Sequence, residues 1–177
     1  MNDLSTIDAY GAVTEPATLT IQRLLPGPVD RIWSYLTDSD LRRRWLAAGD
    51  MRLEVGAPFE LVWRNDELTD PPGQRPAGFG GEHRMHSRIT ELDPPHRIAF
   101  TWDKTGNVSI ELAPKGDRVL LTLVHRGVTD RSILLGVSTG WHMHLDLLAA
   151  RTAGTPTAPF WDGWEGLRAD YAQRMPG

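Results

Sequence analysis

The chain contains no cysteine. That excludes disulfides, thiol nucleophiles and cysteine-based zinc sites, and it fits a reducing cytosol. A basic segment followed by an apolar core is also missing from the opening residues, "MNDLSTIDAYGAVTEPATL", so no signal peptide is expected there. No apolar run approaches the ~20 residues of a membrane span, and a cytoplasmic location is expected. Excess positive charge is lacking too. The net charge is −4 and the pI about 5.8, which weighs against nucleic acid as a partner. The one basic run, Arg42-Arg43-Arg44, follows Asp38 and Asp40 and is expected to be a solvated helix face. Gly78, Gly80 and Gly81 are not followed by the Lys-Ser or Lys-Thr pair of a phosphate loop. No internal repeat or low-complexity tract interrupts the chain.

What the chain does have is tryptophan, seven in 177 residues. An indole covers much apolar area, so this many implies either a heavy aromatic core or a cavity walled by rings. The length suits one domain with a real core. Residues 1–16 are polar and are expected to form an arm with little structure. "ATLTIQRLL" alternates with Leu19 and Ile21 on one face, as a half-buried strand does. Pro26-Gly27-Pro28 breaks it, and Val29, Ile32, Trp33 and Leu36 then follow helical spacing. Asp38 is placed to cap a second short helix, which carries Leu41 and Trp45 and is expected to end at Gly49. Strands follow at "PFELVWRN", "EHRMHSRITEL", "RIAFTW", "VSIEL" and "RVLLTLVH". Their short turns imply antiparallel hairpins, and the loop from Asp70 to Gly81 is the most turn-rich stretch. A long helix is predicted from about Ser132 to Ala153, and a further helix carries Phe160, Trp164, Leu167 and Tyr171. The fold class is therefore α+β: a curved antiparallel sheet of about six or seven strands wrapped on a long C-terminal helix, with two short helices after strand 1.

Strand phase aims Trp63, Ile89, Phe100, Trp102, Leu121 and Leu123 inward, while Trp141, His144 and Leu145 share the buried stripe of the long helix. These residues are the expected lining of an apolar ligand cavity. His125, in line with Leu121 and Leu123, and His144 are the candidates for fixing a ligand's polar end, since histidine is the acid–base group closest to neutrality. Each could equally be a buried histidine bonded to backbone. Trp33 and Trp45 read as core. His142 and His144 lie about 200° apart around a helix, and His83 and His86 point to opposite faces of a strand. No metal site is therefore expected, and no cofactor either. Glu60 and Glu111 belong to outward faces, Asp146 lies off the buried stripe, and Glu91 adjoins a turn where strand phase often shifts. They form no convincing acid–base pair. Ser87, Ser109 and Ser138 lack the strand–elbow–helix context of a hydrolase nucleophile.

The segments "PVDRIWSYLTDSDLRRRWL", "ITELDPPHRIAFTW", "LTLVHRG" and "GWHMHLDLL", in that order, resemble the activator-of-heat-shock-ATPase homologue family of the START/SRPBCC (birch-pollen-allergen-like) superfamily. The likeness covers roughly residues 17–154. It implies a helix-grip domain over those residues, with 1–16 as an arm and 155–177 as a helical extension of the same domain. It also implies a cavity between sheet and long helix for a lipid-like or polyketide-like molecule. Two alternatives come with it. One is a polyketide cyclase or aromatase using His125 or His144. The other is an interaction module, either a co-chaperone in a stress response or a homodimer formed through the Trp161/Trp164 tail. The family's co-chaperones carry a separate N-terminal domain where this chain has its short arm, a departure that weighs against chaperone activation. The tail could instead cover a mouth of the cavity.

Overall fold

The computed structural model describes residues 7–104 and 106–175. One seven-stranded antiparallel sheet has the order β1-β2-β7-β6-β5-β4-β3. Its strands are β1 (Ala12–Glu15), β2 (Thr18–Pro26), β3 (Pro58–Trp63), β4 (His83–Asp93), β5 (Arg97–Trp102), β6 (Gly106–Lys115) and β7 (Arg118–Arg126). Two short helices, α1 (Val29–Thr37) and α2 (Ser39–Arg42), carry the chain from β2 to the opposite edge at β3. The long α3 (Arg131–Ala153) and then α4 (Phe160–Arg174) follow the last strand. This is the expected helix-grip layout, and the expected arm departs from it. Ala12 pairs with Thr20 and Val13 with Leu19, so part of the first 16 residues is an edge strand, although its side chains are exposed.

Strict alternation builds the core. In register, Leu19 faces His125, His125 faces Val108, Val108 faces Phe100, and Phe100 faces Ile89. The next row, Ile21–Leu123–Ile110–Ile98, crosses four strands in the same way. All of these residues are buried. The pairing of β4 with β5 shifts between Ile89 and Glu91, where the turn was expected to disturb strand phase. Such a bulge bends the strand and adds twist, so it helps wrap the sheet around α3. At the end of α3, Gly154 takes the left-handed conformation (φ 71°) that favours glycine at a helix C-terminus.

Two arginines are buried, Arg42 against expectation. Arg42 is 2% exposed, so the basic run is not a solvated face throughout. Its guanidinium donates to the carbonyls of Leu36 (3.2 Å), Ala47 (3.2 Å) and Gly49, and burial lowers its pKa to about 10. Five donors in a fixed fork suit several carbonyls at once. Because Arg42 turns back to hold this loop, α2 stops at Arg42 rather than Gly49, though Asp38 caps it as expected. Gly49 is required there, since its φ is 138° and a Cβ would sit 1.8 Å from the Glu60 carbonyl oxygen. Arg23 lies on the inward face of β2 with Leu19 and Ile21. It pairs with Asp146 of α3 at 2.8 Å and donates to the carbonyls of Ala9 and His142.

That pair belongs to a network between α3, α4 and the N-terminal segment. Asp146 accepts from His142 Nε2 at 3.3 Å. His142 Nδ1 lies 2.9 Å from the Tyr171 hydroxyl, which also accepts from the Gly11 amide at 2.7 Å. A proton on Nε2 leaves Nδ1 to accept from the hydroxyl. Burial raises the Tyr171 pKa to about 12, and the residue is fully buried. The network ties α4 and residues 9–11 to α3, and none of its side chains lines the aromatic cavity at the N-terminal half of α3.

Candidate functional site

At the N-terminal half of α3, the sheet and helix part to leave a cavity of about 430 Å³. Trp63 closes it from β3 and Trp102 from β5. Gly136, Val137, Gly140, Trp141 and His144 come from α3, and Phe160, Trp161 and Trp164 from α4. Phe79, at the tip of the Asp70–Gly81 loop, covers its outer side.

The rings form two arcs. In one, Trp63 and Trp102 lie 5.6 Å apart between centroids, and Trp102 and Trp141 lie 5.2 Å apart. In the other, His144 is 5.3 Å from Phe160 and Phe160 is 4.8 Å from Trp161. Phe79 rests 5.4 Å from Trp161 and 5.1 Å from Trp164. These separations suit tilted and edge-to-face contacts. The α4 arc is fastened to the loop beneath it: Trp161 Nε1 donates to Asp66 at 2.7 Å, and the Trp161 amide to the Pro72 carbonyl at 2.9 Å. The Phe160 amide donates to Thr69 at 2.9 Å. Asp66 is held in turn by Arg75 at 2.6 Å.

Four of the ten expected lining residues, Trp63, Trp102, Trp141 and His144, meet at this cavity. The other six do not reach it. Ile89, Phe100, Leu121, Leu123 and Leu145 are packed in the core cluster, because neighbouring strands place apolar side chains opposite every one of the strand positions. His125 lies one layer behind the wall. It accepts from Trp141 Nε1 at 3.0 Å through Nδ1, and its ring is 5.1 Å from Trp102. Burial lowers its pKa to about 4. It therefore stays neutral near pH 7 and fixes the Trp141 ring rather than lining this cavity.

His144 does line the cavity. Its Nδ1 lies 2.8 Å from the Trp45 carbonyl. A carbonyl only accepts, so Nδ1 carries the proton. Burial lowers the His144 pKa to about 4, against a smaller opposing effect of that hydrogen bond. The ring is neutral near pH 7, and Nε2 bears a lone pair.

Sequence reading missed Phe79 and did not assign Phe160, Trp161 and Trp164 to the lining. Phe79 had a signal, as the lone aromatic in a glycine- and proline-rich loop. Nothing in α4's own periodicity says which neighbour it meets. Trp161 is 2% exposed and turned into its own chain. Trp161 and Trp164 of the tail both line the cavity. The remaining charged groups at the cavity are acidic. Glu82 is engaged by Arg64 (2.9 Å) and Arg84 (2.8 Å), whereas Asp103 forms no ion pair among the described residues. No lysine or arginine among the described residues lines the cavity. Among the described residues no cluster of three potential metal ligands occurs, and no helix is long and apolar enough to cross a membrane.

Among solved structures, a Bordetella parapertussis protein studied by NMR in solution is 34% identical, with a TM-score of 0.79 over 99% of this chain and 96% of that one. CalU16 from Micromonospora echinospora is 24% identical, with a TM-score of 0.67 over 90% and 89% of the two chains. DynU16, from the dynemicin biosynthetic locus, is 17% identical with a TM-score of 0.63 over 80% of this chain and 49% of its own. The latter two show a shared fold. No curated protein sequence matches the chain. Residues 26–153 match the model of the activator of Hsp90 ATPase homolog 1-like proteins, and the chain belongs to that family.

Proposed function

We propose that the protein binds a small, largely aromatic molecule in the cavity between α3, α4 and the β3–β5 end of the sheet. The observation that carries this reading is the wall itself: seven aromatic residues converge on one hollow of about 430 Å³. Filling the hollow with protein would gain about 25 cal/mol for each Å² of apolar surface removed from water, so leaving it open forgoes stability that a ligand restores. Few polar groups and many rings are the usual makeup of a small-molecule site. DynU16, from the dynemicin biosynthetic locus, shares the fold.

The polar groups favour holding a ligand over transforming one. His144 is a weak base at a pKa of about 4, and the group behind it is a backbone carbonyl, not a carboxylate that would stabilise an imidazolium. His125 spends its Nδ1 lone pair on Trp141. The test is a thermal-shift and tryptophan-fluorescence screen of bicyclic and tricyclic aromatic compounds. A rise in Tm and a change in indole emission are expected from several of them. A full screen that moves neither would end the binding reading.

A further inference from the structure

The cavity's hydrogen-bonding groups narrow the ligand class, a step that rests on the binding reading above. Two of the indole N–H groups on the wall are already committed, Trp141 to His125 and Trp161 to Asp66. Neutral N–H groups remain on Trp63, Trp102 and Trp164, but no arginine or lysine among the described residues lines the site. A carboxylate entering it would lose its hydration with no cation to offset the cost, which is large for an ionised group. It would also approach Asp103, whose charge repels it, whereas Glu82 is already paired with Arg64 and Arg84.

The His144 lone pair points the other way. Nδ1–H is fixed on the Trp45 carbonyl, so the opposite ring nitrogen, on a residue that lines the cavity, is the acceptor. Among the described residues Nε2 has no protein partner, and it is not among the side-chain atoms sealed from solvent. It is thus an acceptor at the edge of an aromatic chamber.

We infer that the ligand is an aromatic ring compound bearing a hydrogen-bond donor, a phenol or an aromatic amine, that donates to His144 Nε2, and that the site rejects aromatic carboxylates. The rings supply affinity for the apolar body, and the acceptor fixes its orientation.

The test compares naphthalene, 2-naphthol, 2-naphthylamine and 2-naphthoate by calorimetry at pH 7 on the full chain. The two donors are expected to bind about fivefold or more tighter than naphthalene, the yield of one net hydrogen bond. Naphthoate is expected to bind at least about tenfold more weakly than naphthol. The variant for the anchor is His144→Asn, whose amide nitrogen can keep the bond to Trp45 while Nε2 is deleted. It should bring the ratio of naphthol to naphthalene affinity down to about one, whatever the lost ring contact does to both. In the wild-type protein, the ¹⁵N resonance of His144 Nε2 should shift with naphthol and not with naphthalene, a readout that needs no variant. If none of the four compounds binds, the cavity reading itself falls and this inference with it. If naphthalene binds but naphthoate equals or exceeds naphthol, the cavity reading stands and the donor class is overturned. A naphthol preference that survives His144→Asn, with the resonance unmoved, overturns the anchor.

Discussion

The two halves of α3 face the same sheet and end up in different environments. Leu145, Leu147 and Leu148, toward its C-terminus, are fully buried in the core cluster. Toward its N-terminus, Gly136, Val137, Gly140, Trp141 and His144 face a hollow. The C-terminal half is buried almost throughout, whereas Gly136 is exposed and Val137 and Gly140 are half-buried. The difference lies in what stands opposite. Around the aliphatic half, rows of Leu, Ile and Val cross adjacent strands in register. At the aromatic half, β3 and β5 contribute stiff indoles, and cover comes from a loop and α4, which lie outside the sheet. Rings held at fixed angles cannot collapse into a gap as aliphatic side chains do, so the same fold is solid at one end and hollow at the other.

The largest effect of a single substitution that would sharpen this contrast is at the packed end. Leu121→Ala should cost about 2–5 kcal/mol of stability, the usual range for a buried leucine, read from urea melts. It should leave the affinity for an aromatic probe within about twofold. A large loss of affinity would mean that the two ends are one continuous site.

Next comes acidity. His125 and His144 sit behind and at the aromatic wall, each with its pKa lowered by burial from 6.5 to about 4. The unfolded chain binds these protons first as the pH falls, so the stability from each is present above about 6.5 and is lost between about 6.5 and 4. The slope is about 1.4 kcal/mol per pH unit for each group. Urea melts between pH 7 and 4 should show it, and His144→Asn should remove one proton's share. A flat profile would mean that the aromatic end is wet enough to hold an imidazolium, which breaks the distinction drawn from the rings.

Smaller again is the fastening of the cover. Trp161→Phe keeps a ring against Phe79 and Phe160 but deletes the N–H that donates to Asp66. Asp66 retains Arg75, so the loss should be about 1 kcal/mol, near that of a typical net hydrogen bond. Amide exchange should quicken in residues 66–79 and not at β7. Faster exchange throughout would place α4 in the core rather than on the cover.

Most of the solid end was legible in the sequence. Alternation in "VSIEL" and "RVLLTLVH" fixes which side chains point inward, and antiparallel pairing then leaves few registers. The hollow end was only half legible. Trp63, Trp102, Trp141 and His144 carry the period of their own strand or helix. Phe79, Trp161 and Trp164 reach the site by tertiary placement of a loop and a tail, which no local period encodes. The buried charges escaped for a related reason. Arg42 and Arg23 read as polar on any scale, and only the carbonyls and the carboxylate brought to them from elsewhere make their burial tolerable. His125 reads as cavity-facing because its strand phase is right. What removes it from the site is one hydrogen bond from an indole on another element.

The smallest stability change separates the two ends most sharply. Gly136 and Gly140 lie one helical turn apart on the cavity wall, and a Cβ built on either meets no atom within 4 Å. Glycine inside a helix costs roughly 1 kcal/mol relative to alanine, and neither position has a left-handed backbone that would require it. The two glycines therefore weaken α3 where their missing side chains leave open space. Gly140→Ala should stabilise the protein by about 0.5–1 kcal/mol. Gly140→Leu should fold as well as the wild type and weaken an aromatic probe at least about tenfold, because the new side chain occupies the probe's volume. A Gly140→Leu protein that binds as tightly as the wild type would show that the ligand sits elsewhere. One that loses several kcal/mol of stability would show that the hollow is not open space, and the two halves of α3 would then be packed alike.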